Sequence, residues 1–91
     1  MKRIENATNW QEMMTGWNDV NDGEMFILDE GSEHEMVGIK YSNDYAILLN
    51  CRGKFILAHH YDNCLSIGTA SVEYDTIEQA KERLANGWVE R

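Results

Sequence analysis

Apolar residues recur along this chain with two different periods. Between residues 9 and 17, Trp10, Met13, Met14 and Trp17 fall at separations of three, four and seven, the stripe of one helical face. Thr8 or Asn9 stands where a side chain caps the first amides, and Glu12 falls in the first turn, where the helix dipole favours an anion. A short N-terminal helix is predicted there, ended by Gly16 and by the turn-rich Asn18-Asp19 and Asn21-Asp22-Gly23.

From residue 24 the period becomes two. Strands are predicted over 24–29, 35–41, 45–50 and 54–60. Val37, Ile39 and Tyr41 share one face of the second, and Tyr45, Ile47 and Leu49 one face of the third. Turns are read at 30–33, 42–44 and Arg52-Gly53. Residues 61–68 read as a loop. Residues 69–74 read as a fifth strand, with Ala70, Val72 and Tyr74 alternating against Thr69, Ser71 and Glu73. Connections this short imply an antiparallel meander, because parallel neighbours need crossovers of a dozen residues or more.

The helical period returns over 76–86. Thr76 followed by Gln79 is a capping box, Ile77, Ala80 and Leu84 make the buried stripe, and Asn86-Gly87 is a stop signal, with Trp88 and Val89 placed to fold back on the sheet. The predicted architecture is one α+β domain over 1–91: a meander of four or five strands, a short N-terminal helix, and a C-terminal helix packed on the sheet. Several strands are apolar on both faces. Two helices can cover one; the other is left partly open to a partner or a second copy of the chain.

Charge alters this picture most. Sixteen acidic side chains oppose eight basic ones, a net charge of −8. Such a surface repels phosphate backbones and anionic lipid at long range, so nucleic-acid and membrane binding are disfavoured. The acids are also unevenly placed. Glu5, Glu12, Asp19, Asp22, Glu24, Asp29, Glu30, Glu33 and Glu35 lie in residues 4–39, which hold no Lys or Arg. Lys2 and Arg3 are followed by Glu5, Asn6, Thr8 and Asn9 rather than by an apolar run, so a secretion signal is not expected and a cytoplasmic protein is. In that compartment Cys51 and Cys64 are expected as reduced thiols.

Catalytic and metal-binding patterns are weak. His59 and His60 are neighbours on a predicted strand, so their side chains point to opposite faces and do not chelate one metal together. Cys51, Cys64 and His34 could join either, yet no C-x-x-C or H-x-x-x-H spacing occurs. Cys64 follows the two histidines closely enough for a Cys–His pair. An acidic surround would raise the thiol pKa, which is the wrong direction for a nucleophile. Glycines are spaced singly, without a phosphate-cradling loop. Tyr41, Tyr45, Phe55 and Tyr61 near Lys40, Arg52 and Lys54 could form a base-stacking platform, although core packing explains them as well. The Trp10–Trp17 stripe is either docked on the sheet or an exposed anchor for a partner.

The acidic run Asp19, Asp22, Glu24, Asp29, Glu30, Glu33 and Glu35 remains as the candidate partner-binding surface. Its function would be to engage a cationic groove of another protein. With small size, a −8 charge and no active-site pattern, the chain resembles in kind the acidic proteins that phages and mobile elements direct against host nucleic-acid machinery, among them anti-restriction and anti-CRISPR proteins, some of them DNA mimics. That resemblance implies a non-enzymatic inhibitor of a basic protein complex, without cofactor or metal. The alternatives are a small metal-binding or Cys/His enzyme domain and a homodimeric structural or regulatory subunit.

Overall fold

The computed structural model describes residues 2–5, 16–68 and 72–87. Six strands form one curled mixed sheet: β1 (Lys2–Ile4), β2 (Met25–Leu28), β3 (Met36–Lys40), β4 (Tyr45–Leu49), β5 (Phe55–Tyr61) and β6 (Cys64–Ile67), in that spatial order. β2 to β6 are an antiparallel meander, as the short turns require, while β1 lies parallel to β2. A 3-10 turn, Trp17–Asp19, precedes β2, and α1 (Ile77–Ala85) follows the sheet.

Four differences from the sequence reading have local causes. β1 carries no periodic signal, because three residues with two charges show no alternation; Ile4 alone drives it, buried in the core with its strand paired to Phe26, Ile27 and Leu28. The fifth strand of the meander is Cys64–Ile67, where a loop was predicted. It is reached through Asp62-Asn63, both left-handed at φ 48° and 62°, the two-residue turn that matches the twist of a hairpin. The run at 69–74 is accordingly not the fifth strand. Residues 69–71 lie outside the described residues, Val72 is exposed, and Tyr74 makes a single antiparallel bridge to Phe55. Most of the predicted N-terminal helix (9–15) also lies outside the described residues. At its end Gly16 is left-handed at φ 90° and Trp17–Asp19 is 3-10, so the α-helical reading fails there. An added Cβ at Gly16 would sit 2.6 Å from the Arg3 carbonyl oxygen, which confines this position to glycine.

Strand alternation sorts the apolar residues onto two faces. The concave face packs Ile4, Trp17, Val20, Phe26, Leu28, Ala46, Leu48, Ile56, Ala58 and Leu65 into the main core. On the convex face Ile47 and Leu57 pack beneath Ala80 and Leu84 of α1, the predicted stripe. α1 begins on the predicted capping box: the Thr76 hydroxyl accepts from the Gln79 amide while the Gln79 side chain accepts from the Thr76 amide. The helix packs chiefly on β5 and β4, and Met25 of β2 on the same face is exposed. None of the described helices is long and apolar enough to cross a membrane.

Candidate protein-binding surface

Antiparallel pairing divides the turns between two ends of the sheet. The β3–β4 and β5–β6 turns and the 3-10 turn lie at one end; the β2–β3 and β4–β5 turns lie at the other. The seven acidic positions divide in the same way. Asp19, Asp22 and Glu24 stand at the first end, and Asp29, Glu30, Glu33 and Glu35 at the second. Four residues of β2 separate the groups, about 13 Å at the usual strand rise. They do not make one continuous patch.

The ends differ in how their charge is balanced. At the second end, Arg3 Nε contacts Glu30 Oε2 at 2.5 Å, Arg52 contacts Glu73 at 2.9 Å, and Lys54 pairs with Asp75. Glu73 also accepts from the Asn50 amide nitrogen, which holds its pKa below the usual carboxylate value, and the Asp75 hydrogen bond holds Lys54 above the usual lysine value. Glu35 accepts from the Gly31 amide at 3.0 Å and Glu33 faces His34 at 3.3 Å. The acids there are largely turn-forming or paired.

At the first end, sequence order hid two contributors. His60 donates its backbone N–H to the Asp44 carbonyl at 2.7 Å, which brings the β3–β4 turn beside the end of β5, and Asp62 follows in the next turn. Asp19, Asp22, Glu24, Asp44 and Asp62 are thereby spread across the ends of β2 to β5, about 14 Å at normal strand spacing. Among the described residues none of these five carboxylates has a Lys or Arg side-chain nitrogen within 4.0 Å. Asp44 and Asp62 lie outside the base-free segment, and the successive pairing of β2 to β5 brings them to this end.

Beneath this end sits the group that fixes it. Trp17 is 3 % exposed and packs edge-on against Phe26, so this member of the stripe is core rather than an exposed anchor. Its indole N–H donates to the Asn43 carbonyl at 3.0 Å and its ring stacks on His60 at 4.6 Å. Lys40, also 3 % exposed, donates from Nζ to the Trp17 carbonyl at 3.0 Å and lies 4.6 Å from the indole centroid. The lysine's charge is therefore spent inside the fold, where a short donor bond and a ring face replace water. Burial, followed by the Lys40 charge, lowers the His60 pKa below its ordinary 6.5.

The remaining candidates are dispersed. His59 points to the convex face and stacks on Tyr45 at 5.3 Å, opposite to His60. Cys51 and Cys64 lie at opposite ends of β5 and form no disulfide with each other, and Cys64 Sγ donates to the Tyr61 carbonyl at 3.3 Å. Among the described residues no three His, Cys, Asp or Glu side chains converge as metal ligands. The base-stacking platform is likewise taken apart: Tyr41, Tyr45 and Phe55 pack around α1's contact, Lys40 is buried, and Arg52 and Lys54 are engaged by Glu73 and Asp75.

No protein-family model matches this chain, and none of the curated proteins or solved structures matches it.

Proposed function

We propose that this chain is a small, acidic, non-enzymatic binding module whose partner is a protein with a basic surface. The observation that carries the reading is the set of five carboxylates at the ends of β2 to β5, without Lys or Arg partners among the described residues and seated on buried Trp17 and Lys40, with the half-buried His60 stacked on the indole. A rigid base keeps carboxylates at fixed spacing, so less order has to be imposed on binding. Their field draws a cationic surface at long range and raises the association rate. The four carboxylates of the β2–β3 turn stand at the other end of the sheet, where Arg3 pairs with Glu30, and are not part of this surface. The intended target is a basic groove that otherwise holds nucleic acid, and the mode of action is inhibition by occupancy, as in the phage and mobile-element inhibitors the sequence resembles. Charge repulsion between copies at −8 disfavours the homodimeric alternative.

The test uses capture from a lysate followed by titration of the partner. The triple reversal Asp22→Lys, Asp44→Lys, Asp62→Lys is expected to weaken binding more than Glu30→Lys, Glu33→Lys, Glu35→Lys. Wild-type affinity should fall steeply with added salt. Binding that is indifferent to salt and to both triple variants would remove the acidic surface from the mechanism.

A further inference from the structure

α1 reaches the sheet through a short strap, residues 73–76, that is not a continuation of β6. Both segments pair on the same edge of β5, since β4 holds the other. Ile67 of β6 pairs with Ala58, and Tyr74 of the strap pairs with Phe55. Between those pairings β5 steps through three residues and the opposing chain through seven. The strap is therefore four residues out of register with β6. Its two ladder bonds join Phe55 N–H to the Tyr74 carbonyl at 2.9 Å and Tyr74 N–H to the Phe55 carbonyl at 2.8 Å. Losing both leaves every pair of β6 intact.

The strap is fastened by polar side chains on either side of Tyr74. Glu73 Oε2 accepts from Asn50 Nδ2 at 2.5 Å and from Arg52 Nε at 3.1 Å, and lies 2.9 Å from a second Arg52 nitrogen. Lys54 Nζ holds Asp75. All three donors belong to the β4–β5 turn, which Asn50 stiffens by accepting from the Arg52 and Lys54 amides at 3.0 Å each. α1 depends on the same strap. The Asp75 and Thr76 amides donate to Gln79 Oε1 at 2.9 and 3.3 Å, so the capping box is built on strap residues. Of the nine residues of α1 only Ala80 and Leu84 are buried. A helix this short does not hold its shape in water alone. Release of the strap thus removes the start of the helix, and undocking and unwinding become one event.

We propose that residues 73–85 are a clasped flap, a unit that opens from the sheet as a whole, ahead of global unfolding, when Asn50, Arg52 and Lys54 release Glu73 and Asp75. Opening lays Ile47 and Leu57 bare and frees the two cations of the β4–β5 turn, while the six strands stay paired. The device lies at the opposite end of the sheet from the five unpaired carboxylates and does not depend on their role.

The test is native-state amide hydrogen exchange on the full chain, with Tyr74 reporting the strap, Leu84 the helix and Leu48 the sheet. Tyr74 and Leu84 should share one opening, at least about tenfold more frequent than that of Leu48. Arg52→Gln and Lys54→Gln alter no residue of the flap. Each should raise the opening of Tyr74 and Leu84 together by about two- to fivefold, the range of one exposed ion pair. Arg3→Gln removes a cation paired elsewhere, with Glu30, and should leave both as in wild type. Phe26→Leu weakens the core of the sheet without touching the flap; it should speed Leu48 alone, because the flap-open state keeps that core and is destabilised equally. Acceleration of all three reporters by Phe26→Leu overturns the separate opening. Exchange of Leu84 without Tyr74 overturns the single unit. Indifference of both reporters to Arg52→Gln and Lys54→Gln overturns the clasp.

Discussion

Gly38 is the position where the core leaves least room, and adding one carbon there makes a quantitative test of the packing. A Cβ at Gly38 would lie 2.5 Å from Phe26 Cζ, 2.9 Å from Phe26 Cε2 and 2.8 Å from Leu48 Cδ2. Comfortable carbon contacts lie at about 3.5–4.0 Å, so the ring has to retreat by about 1 Å. It has little room to retreat: Phe26 is 0 % and Leu48 1 % exposed, and the Phe26 ring also packs T-shaped against Trp17 at a centroid distance of 5.9 Å. Overpacking of this kind costs about 1–3 kcal/mol, offset by about 0.4–1 kcal/mol from the stiffer unfolded chain. Gly38→Ala should therefore lose about 1–2 kcal/mol, or about 5–10 °C in Tm for a domain of this size. Urea melts followed by far-UV circular dichroism would measure it. Phe26→Leu, destabilising alone, opens space for the new methyl. The double variant should be more stable than the sum of the singles by about 1 kcal/mol, the coupling expected of residues in contact. A neutral or stabilising Gly38→Ala, or strict additivity with Phe26→Leu, would refute the claim that Phe26 and Leu48 fill this space.

Two further outcomes follow from the packing. The folded chain holds the His60 pKa below 6.5, so on acidification the unfolded chain takes up the proton first. Stability should be fully present above about pH 6.5, decline as pH falls through that value, and stop declining below the folded pKa. Urea midpoints across this range should show a shallower decline in His60→Gln than in wild type, and an identical decline would reject burial of the neutral imidazole. Thr76→Ala removes the acceptor for the Gln79 amide and should cost about 1 kcal/mol, with little change in the denaturant slope; a change below the error of the melt would mean that the cap adds nothing to α1.

The elements most legible from the sequence are those whose signal is local. The Thr76–Gln79 box and the Ile77, Ala80, Leu84 stripe suffice to define α1, because capping and amphipathicity act within a few residues. β2 to β5 are legible because each is a short apolar run bounded by polar turn residues. What failed was long-range or disguised. β1 exists because Ile4 finds the core through a parallel partner more than twenty residues away, which no window around Lys2 can report. The Asp62-Asn63 turn lacks the Asn-Gly pair that marks such hairpins, although both residues tolerate the left-handed region. The candidate surface was half visible. Asp19, Asp22 and Glu24 stand out in a base-free segment, whereas Asp44 and Asp62 join them only through the sheet. Lys40, counted as a surface cation when the chain is read linearly, is withdrawn from the surface by Trp17.

The mixed pairing of β2 orders the assembly of the sheet. Every boundary from β2 to β6 is closed by a short turn, so those strands can zip together early from neighbours already at hand. β1 can add only after residues 5–24 have been drawn into a closed loop, at an entropic cost the other strands do not meet. It contributes three residues and one core side chain in return. In the complete sheet β1 takes the edge in place of β2, and three residues of which two are charged offer another chain a shorter and less apolar template than the four apolar residues of β2 would.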